Sequence, residues 1–158
     1  MEKIDWKNLS YYDFIGFVAV TAFLLFVLYF GGLWYATYDY RIQMRDQMVE
    51  MYKQLPNPIP PIEDDYGVHQ RWLVFYIDGV KVLNKPQPEN VINEYKKALE
   101  KEGWATEREY EHVRNDKNKI YGINMRKGEF ILSVSARENR DSINIHLIKR
   151  DWIYNKGF

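Results

Sequence analysis

Residues 121–147 read YGINMRKGEFILSVSARENRDSINIHL, and their period decides the fold of the carboxy-terminal part of the chain. Apolar residues recur at every second position: Tyr121, Ile123 and Met125, then Phe130, Leu132, Val134 and Ala136, then Ile143, Ile145 and Leu147. A period of two puts alternate side chains on opposite faces of a strand. RKGE at 126–129 and ENRDS at 138–142 separate the runs with turn residues. Consecutive strands joined by short turns pair antiparallel. Such a sheet has one wet face, here rich in Lys, Arg, Glu, Asn and Ser, and one apolar face that must be covered.

Upstream, Thr106, Arg108, Tyr110 and His112 alternate with charged residues, and NDKN at 115–118 supplies a turn. Before them, residues 86–102 read as the cover. Pro88 suits a first helical turn, Glu89 suits the dipole there, and Val91, Ile92, Tyr95, Ala98 and Leu99 form one apolar face. Gly103 supplies a left-handed C′ position, with Trp104 placed to pack back on Leu99. Trp72 to Ile77 has the composition of a buried strand. Asp78-Gly79 then either turns a hairpin into 80–83 or ends that strand. The expectation for residues 69–158 is an α+β domain with one helix on a four- to five-stranded, mainly antiparallel sheet. In the tail RDWIYNKGF, Trp152 and Tyr154 either finish the last strand or fold over a sheet edge.

Residues 56–68 read as a linker. Four prolines in PNPIPP favour an extended, semi-rigid segment, and Glu63, Asp64 and Asp65 read as its solvated continuation. Before it, residues 37–55 read as a helical stalk: 40–55 lacks Gly and Pro, and Met44, Met48, Met51 and Leu55 fall on one helical stripe. That stripe packs on its own domain or a sister helix, or else offers an adaptable partner surface.

Residues 14–36, FIGFVAVTAFLLFVLYFGGLWYA, contain no charged residue, and none occurs between Asp13 and Asp39. About 20 apolar residues cross a hydrocarbon core of about 30 Å. A soluble core helix would show polar positions every three or four residues, whereas only Thr21 and Tyr29 interrupt this run. Trp6, Tyr11 and Tyr12 stand before it, in the tail 1–13, and Trp34, Tyr35, Tyr38 and Tyr40 follow, as at the two interfaces of a bilayer. A cleaved leader fits poorly, because a cut after Ala36 puts Trp34 where a small residue is needed. The expectation is an uncleaved, single-pass signal-anchor. Lys3 and Lys7 precede it and Arg41, Arg45 and Lys53 follow, nearly balancing the positive-inside count. A short tail before one span favours export of the carboxy-terminal domain.

Composition narrows the chemistry. Formal net charge is zero, which removes a bulk electrostatic case for nucleic acid. The chain has no cysteine, excluding disulfides, thiolate catalysis and Cys-based zinc sites. His69, His112 and His146 form no metal-type spacing, and no phosphate loop or G-x-S-x-G occurs. No catalytic, cofactor or metal residue is therefore expected. Gly16, Ala19 and Ala22 place small residues along the span, which permits close helix approach and self-association.

The layout resembles that of type IV pilins, with Gly16-Phe17 echoing their processing site, and also that of single-pass assembly proteins of pilus and secretion machines. Tyr11, Tyr12, Asp13 and Phe14 differ from a basic pilin leader, and Thr21 stands where such a pilin carries Glu. Likeness of layout does not carry function, and no family follows from it. The expected role is a non-enzymatic accessory or assembly subunit of a membrane or cell-envelope complex. Its partners would be the lipid bilayer and other membrane or envelope proteins. The alternative is a membrane-tethered ligand-binding or sensor domain.

Overall fold

A computed structural model describes residues 11–71, 74–84, 86–113 and 118–150. Trp6, Trp72, the turn at 115–117 and the tail with Trp152 and Tyr154 lie outside the described residues. The chain divides into two compact units, one up to Ile42 and one from Gln43 onward.

The first unit holds helix α1, Tyr11–Ala36, and the first turn of helix α2, Tyr38–Lys53. Within Phe14–Ala36 an 18-residue window averages a hydropathy of 2.4, and none of that window is buried. The helical ladder runs on through Thr37, whose amide donates to Leu33 O and whose carbonyl accepts from Arg41 N, both at 3.0 Å. The Thr37 hydroxyl also donates to Leu33 O at 2.9 Å, a back-bond that bends helices. One turn on, the Arg41 guanidinium lies 3.4 Å from the Trp34 ring centroid and donates to the Trp34 carbonyl at 2.9 Å.

The second unit is α+β. Among the described residues its six strands are all antiparallel: β1 Glu63–Arg71, β2 Val74–Val82, β3 Ala105–Val113, β4 Lys119–Lys127, β5 Phe130–Arg137 and β6 Ser142–Lys149. Their order across the sheet is β1-β2-β6-β5-β4-β3. The alternation expected for β4, β5 and β6 holds, with Ile123, Met125, Leu132, Val134, Ala136, Ile143, Ile145 and Leu147 all buried. Helix α3, Pro88–Lys101, covers this face with Val91, Ile92, Tyr95 and Leu99. It ends in a Schellman arrangement: Gly103 has φ +84°, Trp104 N donates to Leu99 O, and Gly103 N donates to Glu100 O.

Three features depart from expectation. The sheet has six strands rather than four to five, because β1 occupies the acidic stretch read as linker. As an edge strand with one neighbour, EDDYGVHQR lacks the apolar period of an interior strand. Asp78-Gly79 neither turns nor ends a strand, since β2 runs straight through it. Finally, α3 is not the only cover. The domain begins at Gln43, and Met44, Met48, Tyr52 and Leu55 are buried within it. Tyr52 reaches Gly79, its hydroxyl donates to Asp64 at 3.0 Å, and its ring lies tilted 4.8 Å from that of Tyr66. Asp64, Tyr66 and Gly79 all lie on the core face.

At this corner Lys81, 1% exposed, is held by Asp64 Oδ2 at 3.0 Å and by Asn57 Oδ1. The buried charge thereby ties the Pro-rich segment and edge strand β1 to β2.

Candidate functional site: the outer face of the sheet

Helices cover one face of the sheet, and the other is where polar side chains line up. The register places Gly67, Asp78, His146, Ser133, Asn124 and Arg108 side by side across all six strands. Neighbouring strands lie about 4.8 Å apart, and two neighbouring pairs in the row are hydrogen-bonded. His146 Nδ1 is 2.7 Å from Asp78 Oδ1, and the Ser133 hydroxyl donates to Asn124 Oδ1 at 2.9 Å.

Around Asp78 the row widens into a cluster. His69 Nε2 lies 3.7 Å from Asp78 Oδ2, so the carboxylate stands between two imidazoles. Tyr76 fills the remaining space, stacked on the His69 ring at 5.1 Å and tilted against His146 at 5.5 Å. Gly67 permits this arrangement, because a Cβ there would meet His69 Nε2 at 2.9 Å. No group of three or more His, Asp or Glu among the described residues is arranged to hold a metal ion. Nor does the order Asp78, His146, Ser133 form a nucleophile and base, since the Ser133 hydroxyl is bonded to Asn124.

At the other end of the row, Arg108, Tyr110, His112, Asn124, Ser135 and the rim residue Glu111 surround a broad, open hollow of about 530 Å³. The Tyr110 ring lies across Gly122 of β4, where any Cβ would overlap it. An aromatic laid over a glycine of the neighbouring strand pins the register of this edge. Burial pushes the Tyr110 phenol up, with the Ser135 hydroxyl and Arg108 pulling the other way.

The residues singled out from sequence fall as follows. Tyr11, Tyr12, Trp34, Tyr35 and Tyr38 are all exposed, at the two ends of α1 and the start of α2. Along the methionine stripe, Met44, Met48 and Leu55 are buried inside the domain and only Met51 keeps partial exposure. Packing within the domain, one of the alternatives read for this stripe, therefore takes three of its four side chains. His112 and His146 lie on the outer face, with Tyr110 and beside Asp78 respectively. The His69–Asp78–His146 cluster has no sequence motif, because strands β1, β2 and β6 are not consecutive in the sheet's chain order.

Compared with protein-family models and with characterised proteins, the chain matches none.

Proposed function

We propose that the chain is a single-pass membrane protein, uncleaved after its apolar helix. Its α+β domain acts without catalysis as an accessory or assembly subunit of a membrane or cell-envelope complex. The observation that carries this reading is the exposure of Phe14–Ala36: a 23-residue apolar helix with none of its hydropathy window buried. Each large apolar side chain left in water forgoes about 1.5–3 kcal/mol, and a bilayer recovers that. Trp34, Tyr35 and Tyr38 at the end of the run sit where amphipathic rings favour headgroup depth, and Arg41 stacks there on Trp34.

The domain is assigned the accessory part of this reading. Its core is closed by its own α2 and α3 side chains. Among the described residues, its large exposed apolar side chains are only Ile62, Val80 and Val113, too scattered to form a docking patch. We assign association with other membrane proteins to the span, with the domain and its polar sheet face on the extracytoplasmic side.

Purification from native membranes in mild detergent tests this. The intact chain is expected to bring stable partners that are lost when residues 14–36 are replaced by an unrelated apolar span. A chain that purifies alone in both forms would contradict the subunit reading.

A further inference from the structure

We infer that the hollow at the β3–β4–β5 end of the outer face binds an oxyanion, a carboxylate or phosphate group carried by a small ligand. The inference goes beyond the membrane-anchored reading and does not depend on it.

The argument is one of unused hydrogen-bonding valences. Asn124 accepts the Ser133 hydroxyl through Oδ1 at 2.9 Å, which leaves its amide N–H groups to donate. Tyr110 and Ser135 add two hydroxyls to the wall, each able to donate. The Tyr110 phenol, protonated at neutral pH at its usual value of 10.0, is pushed further up by burial. Arg108 carries five N–H donors and no acceptor. The Arg108 guanidinium and the Asn124 amide thus leave donors open on this wall, beside hydroxyls that can donate as well.

Charge points the same way. Every carboxylate of β3 already has a cation: Glu107 pairs with Arg126 at 3.3 Å, Glu109 with Lys96, and Glu111 with Lys119 at 2.7 Å. Arg108 has no carboxylate partner among the described residues, although it sits in a strand of alternating charges. His112 is a further nitrogen-bearing side chain on the wall. In a chain of zero net charge, this is a local surplus of positive charge and donors, the complement of an oxyanion. The row's opposite end, with Asp78 between two histidines, lacks it.

The test uses the full-length chain in detergent micelles, with the side-chain amide of Asn124 and the Arg108 Nε–H followed by NMR. Inorganic phosphate and acetate are titrated separately at constant ionic strength, with chloride as the reference anion. Saturable shifts at both groups with phosphate, acetate or both are expected, and which anion saturates first identifies the ligand's acidic group. Arg108→Gln is expected to weaken binding about tenfold or more, the loss of one charge-assisted contact. Tyr110→Phe keeps the ring over Gly122 and removes only the donor, so it tests the site even if the arginine variant folds poorly; it is expected to weaken binding several-fold. Shifts that follow chloride without saturating, or saturable shifts that both variants leave unchanged, would overturn the assignment.

Discussion

The Tyr52 ring occupies the space that a side chain at Gly79 would need: a Cβ built there falls 2.7 Å from the nearest ring carbons. This pairing joins the helix that follows the apolar segment to the second strand of the sheet. It also explains why Asp78-Gly79 sits mid-strand. Gly79→Ala is expected to destabilise the protein by about 2 kcal/mol through overpacking, since Tyr52 is buried and tied to Asp64. In a Tyr52→Leu background the same substitution should cost much less, which unfolding of the double mutant in urea checks as a non-additive term.

The buried Lys81 is expected to depend strongly on its partner. Asp64→Ala leaves the ammonium with Asn57 alone and should cost about 3 kcal/mol, the penalty of an uncompensated buried charge. Lys81→Met removes the charge and retains the stem's packing, so it should cost clearly less. Thermal unfolding of the two variants gives the order, and the reverse order would contradict the assignment.

Two tyrosines set an alkaline limit. Burial, and then the neighbouring Asp64 carboxylate, push the Tyr52 and Tyr95 phenols far above their usual value of 10.0. Above pH 10 the unfolded state loses these protons while the folded state keeps them. Stability should therefore be intact below about pH 10 and fall as pH rises beyond it. Melting temperatures between pH 8 and 11 should show this fall, and Tyr52→Phe should flatten it.

Tyr95 adds a second expectation. Its hydroxyl is buried and has no hydrogen-bond partner among the described residues. Tyr95→Phe removes an unsatisfied polar atom while retaining the ring, so stability should rise by about 1 kcal/mol, measured in urea.

Legibility from sequence followed burial. Strands β4, β5 and β6 were readable because one face of each is apolar at every second residue. Helix α3 was readable because Pro88 and Gly103 mark its ends. β1 was not, because an edge strand exposed over most of its length keeps no apolar alternation. The methionine stripe disclosed a helical face but not what it faces. Gly79 looked like a turn because its reason, Tyr52, lies on another element. The outer-face row was hidden for a related cause: Asp78 and His146 meet only because β6 inserts beside β2.

The most direct test of the central claim is an alkaline carbonate wash of membranes from cells making the full-length protein, with the mass of the retained chain measured. The account predicts recovery in the membrane pellet of a chain that still carries residues 14–36. Recovery in the supernatant, or as a species shortened by removal of the apolar helix, would contradict it.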